Sequence, residues 1–120
     1  MSKTSESNCT KLDKKLATAC VLVEIGSVDW DCTSNIKQKN GNYFEQGKSI
    51  NHNEQLEILR ELKDEQLVVQ DFKDRGKLCP TNLWRAVDIE TLKKYVKDII
   101  ENPLMKSCFN ISLKKVREVL

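Results

Sequence analysis

The sequence of 120 residues has few of the residues that build reactive or phosphate-binding sites. Its four glycines form no glycine-rich run, which argues against the usual loop for nucleotide phosphates. It has a single histidine, His52, which lies among polar residues, and its five cysteines include no CxxC pair. Without such motifs we predict no metal site, no cofactor and no catalytic residues, and therefore a protein that is not an enzyme.

Long apolar runs are also absent from the sequence. The nearest to one, at residues 16–25, is about half the length of the roughly 20 residues that a membrane helix needs. We therefore predict that it is a buried helix and that the chain has no membrane partner. The net charge of +2 is too small to indicate a nucleic-acid partner by itself. The length predicts one helical domain over residues 1–120.

The cysteines are odd in number and widely spaced along the chain. This pattern favours free thiols in a reducing compartment, so we expect a nuclear or cytoplasmic protein. The alternative is a secreted protein with two disulfides and one spare thiol, and the glycosylation triplets at residues 8–10 and 110–112 suit it. Lys14 and Lys15 precede the apolar run as in a signal peptide, but no convincing cleavage site follows them.

Apolar residues at helical spacing predict an all-α fold, an orthogonal bundle of about five to six helices. Residues 1–9 are polar, and we expect them to fray. A first helix is predicted from Thr10 to Gly26, because a capping pattern and a glycine mark its ends. Residues 27–52 are rich in Asn, Gly, Lys and Gln and predict a long irregular polar loop after it. A second helix is predicted to begin near Asn51, a good capping residue.

The later helices are predicted from the same kinds of signal. Short third and fourth helices are expected at residues 68–76 and 80–86, ended by a glycine and begun by a proline respectively. A longer fifth helix begins after Asp88 and ends before Pro103, because the residue before a proline is disfavoured in a helix. Residues 111–120 predict a terminal helix with its apolar residues on one side.

The segment at residues 56–100 contains an ordered set of apolar and polar positions. Spaced leucines come first, followed by Val68 and Val69, then TNLWR at residues 81–85 and VKDII at residues 96–100. In this order the segment resembles the N-terminal domain of the transcription elongation factor TFIIS. Related helical domains occur in Elongin A and in a chromatin-tethering factor that binds an integrase.

The resemblance implies a non-catalytic adaptor in a transcription- or chromatin-linked protein. Such domains bind short disordered acidic peptides, in which large apolar side chains supply affinity and charges supply orientation. The implied peptide site combines the loop after the first helix, the loop after the second helix and nearby basic residues. Its residues are Asp29, Trp30, Lys63, Gln66, Leu67, Val68, Lys77, Trp84 and Arg85.

Two other functions remain open. A secreted helical-bundle ligand, of the cytokine or venom type, is favoured by the cysteines, the glycosylation triplets and the long loop. A DNA-binding helical domain is favoured by the basic C-terminal segment, and its expected sign is binding that weakens steeply with salt. The basic residues of that segment are Lys106, Lys114, Lys115 and Arg117.

Overall fold

The computed structural model describes residues 2–44, 50–73, 81–102 and 111–120. In these segments the chain forms five α-helices, a short 3₁₀ helix and three strands around a shared apolar core. The helical majority agrees with the predicted fold class, but the small antiparallel sheet shows that the all-α prediction was wrong in part. No helix in the described segments is long and apolar enough to cross a membrane.

Helix α1, Ser2–Ile25, packs against each of the other four helices and supplies much of the core. It ends where the sequence predicts, at Gly26, whose φ of +94° is readily adopted only by glycine. It begins well before the predicted Thr10, so the backbone of the stretch expected to fray is helical from its second residue. Leu16 and Cys20, at helical spacing, are fully buried.

The prediction of an irregular loop over residues 27–52 was wrong for its middle part. Strand β1, Asp31–Cys32, leads directly into helix α2, Thr33–Asn40, and the 3₁₀ helix Gly41–Tyr43 follows. Ile36 is the one buried apolar side chain that α2 contributes. A helix with a single buried apolar side chain shows no repeating apolar pattern, so its sequence looks like that of a polar loop.

Helix α3, His52–Asp64, begins as predicted after Asn51. The Asn51 Oδ1 accepts a 2.8 Å hydrogen bond from the Glu54 backbone N–H, and the Glu54 side chain faces back toward the Asn51 N–H. This reciprocal capping box satisfies amide groups that have no partner within the helix. After α3 the chain reverses through Gln66, which adopts a φ of 64°.

The segments predicted as the third and fourth helices are instead the two strands of a hairpin. Strand β2, Val68–Lys73, pairs antiparallel with strand β3, Thr81–Ala86, and β1 pairs with the other edge of β3. Trp84 and Ala86 are buried while Arg85 between them is not fully buried, which is the alternation of a half-buried strand. The predicted helices at 68–76 and 80–86 were therefore wrong in the parts that the structure describes.

The last two helices confirm the sequence predictions. Helix α4, Ile89–Glu101, is capped by Asp88, whose carboxylate accepts a 3.1 Å hydrogen bond from the backbone N–H of Thr91. Asn102 is extended and lies before the proline that was expected to end this helix. Helix α5, Leu113–Val119, forms the predicted terminal helix and packs against α1.

A buried polar cluster joins the first three helices. The Asn40 amide donates to Thr18 Oγ1 at 2.8 Å and to Gln55 Oε1 at 3.1 Å. The Gln55 amide donates to the same Thr18 Oγ1 at 2.9 Å, and all three residues are fully buried. Because buried polar groups are costly unless paired, this cluster favours one relative position of the three helices.

The order of elements defines the architecture. After α1, the chain runs β1, α2, α3, β2 and β3, and the sheet order is β1–β3–β2. A helix pair α2–α3 beside an antiparallel hairpin that follows α3 directly is the topology of a winged helix–turn–helix domain. Helix α3 contacts strand β2 of the hairpin, and α4 and α5, which follow the hairpin in the chain, both contact α1.

Candidate nucleic-acid interface

The acidic residues of α3 form a stripe that contacts α1. Glu54, Glu57 and Glu61 follow at helical spacing, and Glu65 continues the stripe just after the helix. Lysines of α1 pair with them at 2.6–3.5 Å: Lys11 with Glu57 and Glu61, Lys14 with Glu54, Lys15 with Glu61 and Glu65. These four glutamates are therefore paired with basic residues of the same chain.

These pairs change the titration of the carboxylates. The hydrogen bond from Lys11 lowers the pKa of the Glu61 carboxyl below its usual value. The hydrogen bond from Lys14 lowers the pKa of Glu54 in the same way. A nearby cation favours the charged form of a carboxyl, so both acids are ionised and neutralised locally at neutral pH.

A second stripe of α3 carries basic residues and is bordered by one exposed acid, Asp64. His52, Leu56, Arg60 and Lys63 lie at i, i+4, i+8 and i+11, which places them along one side of the helix. The histidine, the arginine and the lysine are exposed, and Leu56 is half-buried. We call these four residues, together with the exposed Asn53, the outer stripe of α3.

The outer stripe continues onto the hairpin. Lys63 Nζ donates to Gln70 Oε1 of β2 at 3.0 Å, and Gln70 Nε2 donates to Asn82 Oδ1 of β3 at 2.9 Å. The side chains of α3 and of the two strands thus form one continuous polar surface. The Asn82 amide group at the end of this chain of hydrogen bonds is half-buried and has N–H donors to offer.

The outer stripe and the hairpin together present the side chains that proteins use on DNA. Arginine and lysine bind phosphates and the acceptor edge of guanine, and asparagine and glutamine pair with adenine. In helix–turn–helix proteins the second helix of the pair enters the major groove, and its N-terminal residues reach base edges. His52 and Asn53 lie at that end of α3 and are exposed.

A separate exposed surface lies where β1 begins. The Arg85 guanidinium stacks on the Trp30 ring, with 4.6 Å between Cζ and the ring centroid. Trp30 is 37% exposed, Val28 is 82% exposed and Val87 is 50% exposed. Asp31 pairs with Trp84, so Trp30 and Arg85 are the next residues beyond this pair on the two chain segments, and Val28 and Val87 each lie two residues from one of them along the chain. We call this set of four residues the Trp30 patch.

The structure divides the peptide-site residues predicted from the sequence. It brings Trp30 and Arg85 together, and the exposed Asp29 is the chain neighbour of Trp30. Lys63 and Gln66 lie elsewhere, at the end of α3 and in the turn after it. The remaining apolar members of the predicted site are buried in the core: Leu67, Val68 and Trp84.

The burial of those three residues corrects the prediction that they offer a surface to a peptide. Leu67 is 7% exposed, and its backbone carbonyl accepts a 3.1 Å hydrogen bond from Val87 N–H. Trp84 is fully buried, and its indole N–H donates to Thr33 within the fold. Lys77, the remaining predicted residue, lies outside the described residues.

The basic C-terminal segment is also placed only in part. Lys114 and Arg117 are exposed on α5, whereas Lys115 Nζ donates a 2.8 Å hydrogen bond to the Asn42 carbonyl. Lys106 lies outside the described residues. Arg60 was not predicted as a site residue from the sequence. Its helical spacing from His52 and Lys63 becomes informative only when α3 is known to lie beside the hairpin.

The cysteines that the structure describes with their side chains are free thiols. Cys20 is buried in α1 and Cys32 is half-buried at the end of β1. Burial raises the pKa of the Cys20 thiol to about 12, so this thiol is neutral and unreactive at physiological pH. Cys79 and Cys108, to which Cys20 or Cys32 would be joined by a disulfide under the secreted alternative, lie outside the described residues.

Comparison with known proteins gives a fold but no family. No family model matches the chain, and no curated protein matches it. The resemblance to TFIIS therefore stays a prediction. The structure is similar to the crystal structure of Pex from Synechococcus sp. (strain PCC 7942), with a TM-score of 0.50 and 16% sequence identity. The match covers 74% of this chain and 83% of Pex, and at this identity it shows the fold alone.

Proposed function

We propose that this protein binds double-stranded DNA through the outer stripe of α3 and the β2–β3 hairpin. The observation that carries the proposal is the separation of charge on α3. The glutamates of the acidic stripe pair with lysines of α1, while Arg60 and Lys63 lie on the outer stripe, where Lys63 contacts Gln70 of the hairpin. DNA can thus approach basic and amide side chains without meeting the acid stripe directly.

The proposal agrees with the modest net charge of +2. Non-specific affinity for DNA comes from the number of phosphates that local lysines and arginines neutralise, not from the charge of the whole chain. The pairs between α1 and α3 remove the repulsion that the acids would otherwise exert. We therefore expect weak binding to any duplex and tighter binding to sequences that suit the amides of Asn53, Gln70 and Asn82.

The first test is a fluorescence anisotropy titration of a labelled mixed-sequence duplex over a series of salt concentrations. The logarithm of the binding constant should fall with the logarithm of salt, with a slope of about −0.9 for each phosphate neutralised. Arg60→Ala and Lys63→Ala should each weaken binding and reduce the size of that slope by about 1. Lys97→Ala, an exposed lysine of α4, is the matched control and should leave the slope unchanged.

Two results would overturn the proposal. One is the absence of duplex binding even at low salt. The other is binding that Lys97→Ala weakens as much as Arg60→Ala does, because the charge of the whole chain would then explain it. Because Arg60 and Lys63 are exposed, we expect both variants to fold. A circular dichroism spectrum of each variant checks that weaker binding is not caused by unfolding.

A second candidate function is the binding of disordered acidic peptides with large apolar side chains, as the resemblance to TFIIS implies. The observation that favours it is the Trp30 patch, where the Arg85 guanidinium stacks on the exposed Trp30 ring and the exposed Val28 and Val87 follow close by in the chain. A peptide could place a large apolar side chain against the apolar residues of the patch and an acidic residue against the guanidinium. Either function would suit a non-catalytic nuclear or cytoplasmic protein.

The peptide proposal is tested by titrating acidic phenylalanine-containing peptides while following tryptophan fluorescence. Trp84 is buried, so a change on binding should come from Trp30 and should disappear in Trp30→Phe. Val28→Asp should abolish binding without loss of helical content, because Val28 is 82% exposed. Unchanged peptide affinity in Val28→Asp would remove the Trp30 patch as the site.

A further inference from the structure

A cleft of about 570 Å³ lies between the C-terminal part of α1, the 3₁₀ helix, the start of α4 and α5. Its volume is within the range of small-molecule sites, which is roughly 300–1,000 Å³. None of its lining residues belongs to the outer stripe of α3 or to the Trp30 patch. Neither candidate function uses this cleft.

The lining of the cleft combines an apolar part with polar and charged side chains. Val23 and Tyr43 are buried, and Ile89 and Val119 are partly buried. The Tyr43 hydroxyl donates a hydrogen bond to the Glu24 carboxylate. Burial raises the pKa of Tyr43, so its hydroxyl stays protonated and remains a donor throughout the physiological range.

The charged residues of the cleft are two acids and two bases: Glu24, Glu118, Lys93 and Lys115. Lys115 donates one hydrogen bond to the Asn42 carbonyl, and an ammonium has two further N–H groups. Lys93 is 3.8 Å from Glu90, a longer separation than that of a normal hydrogen bond. Both lysines can therefore donate to a ligand without breaking a short ion pair.

We propose that this cleft binds a small zwitterion with an apolar side chain, of the α-amino-acid type. Its carboxylate would be bound by Lys93 and Lys115, its ammonium by Glu118 or Glu24, and its side chain by the apolar walls. A ligand with one charge would leave two like charges of the cleft unpaired beside it, which disfavours simple anions and simple amines. Charge complementarity therefore selects the class of ligand.

The position of the cleft also connects it to the DNA-binding elements. The 3₁₀ helix follows α2 directly and precedes α3, and Asn42 and Tyr43 of this helix line the cleft. The Tyr43 carbonyl accepts a 2.8 Å hydrogen bond from Ser112 N–H, just before α5, and Phe44 pairs with Ile111. A ligand that holds α5 against the 3₁₀ helix would stabilise the link between α2 and α3. This regulatory part of the inference rests on the proposed DNA binding.

The binding test uses the full chain and needs no DNA. The chain, labelled with ¹⁵N, is titrated with L-phenylalanine and L-leucine, and amide shifts are followed by NMR. We expect saturable shifts at Tyr43, Ile89 and Val119. 3-Phenylpropionate lacks the ammonium, phenethylamine lacks the carboxylate and glycine lacks the apolar side chain. Each should bind at least about tenfold more weakly than L-phenylalanine, a loss of about 1.4 kcal/mol or more.

Charge-removing variants distinguish binding in the cleft from binding elsewhere on the surface. Lys93→Met and Glu118→Gln remove one charge each from the cleft and should weaken L-phenylalanine binding by about tenfold. Lys97→Met and Glu101→Gln remove equal charges from exposed positions of α4 outside the cleft and should leave it unchanged. Circular dichroism spectra of all four variants should match that of the parent protein.

Two kinds of result would overturn the proposed ligand site, and a third would overturn only its link to DNA binding. Equal binding of L-phenylalanine and 3-phenylpropionate would show an anion site instead of a zwitterion site. Shifts that do not saturate, or that persist in both Lys93→Met and Glu118→Gln, would remove the cleft as the site. If the duplex affinity is the same with and without saturating L-phenylalanine, the regulatory part is wrong. That last result would contradict neither the ligand site nor DNA binding, because each has a separate test.

Discussion

The indole N–H of Trp84 donates a 2.8 Å hydrogen bond to the hydroxyl of Thr33 in the interior of the protein. Trp84 belongs to β3, and Thr33 is the first residue of α2, so this bond joins the sheet to α2. Both residues are buried. The tryptophan is therefore both the largest fully buried side chain and a polar link between two elements.

Replacing Trp84 with phenylalanine should destabilise the fold. The substitution leaves the Thr33 hydroxyl buried without this donor and removes part of the buried ring system, at a cost of about 1–3 kcal/mol. The free energy of unfolding in urea measures the loss. Trp30→Phe is the control, because Trp30 is 37% exposed and its loss should cost much less. Equal losses in the two variants would contradict the role given to the buried hydrogen bond.

The N-terminal cap of α3 should contribute measurably to stability. Asn51→Ala removes the acceptor for the Glu54 N–H, so we expect a loss of about 1 kcal/mol in the free energy of unfolding. Asn53 is an exposed asparagine in the same turn that does not cap the helix, so Asn53→Ala should change stability by less than about 0.5 kcal/mol. If Asn53→Ala costs as much as Asn51→Ala, the loss is not specific to the capping position, because alanine has the higher helix propensity.

Acid should weaken the contact between α1 and α3. The pKa values of Glu54 and Glu61 are lowered in the folded state relative to the usual value of 4.5. A lowered folded-state pKa stabilises the fold above the unfolded-state value, and that stability is lost as the pH falls through the folded-state value. The midpoint of urea unfolding should thus decrease as the pH falls below about 4.5.

A charge variant shows whether these pairs cause the acid sensitivity. Lys14→Met removes the partner of Glu54, so part of the decrease below pH 4.5 should disappear in this variant. Both carboxylates are partly solvent-exposed, so the effect of each pair should be modest. An acid profile identical to that of the parent protein would mean that other carboxylates dominate the acid response.

An acidic residue near the outer stripe offers a test in which DNA binding improves. Asp64 is exposed at the end of α3, next to Lys63. Asp64→Asn should tighten duplex binding at low salt by at least about twofold, because it removes repulsion of nearby phosphates. Asp98→Asn changes an exposed acid of α4 by the same charge and should have less effect. Equal gains in both variants would indicate that net charge, and not α3, governs binding.

The parts of the fold that depend on local signals could be predicted from the sequence. Gly26, Asn51 and Asp88 mark helix boundaries through their own backbone or side-chain chemistry, and the structure places helix ends at all three. The hairpin could not be predicted in this way. Its strands are formed by pairing such as Val68 with Ala86, and a register of this kind leaves little local signal.

The candidate interface was missed for the same reason. Lys63 was singled out from the sequence, but as part of a peptide site with Leu67 and Val68, which are in the core. Its hydrogen bond to Gln70 exists because β2 turns back beside α3. Trp30 and Arg85, 55 positions apart, were both named from the sequence, yet only the pairing of β1 with β3 shows that they stack.

The buried cluster of Thr18, Asn40 and Gln55 also has an evolutionary consequence. Gln55 fixes α3 from its inner side, whereas Asn53, Arg60 and Lys63 lie on its outer side and carry little of the packing. Substitutions on the outer side can therefore accumulate without loss of folding. Related chains could acquire new binding preferences one side chain at a time while inheriting an unchanged scaffold.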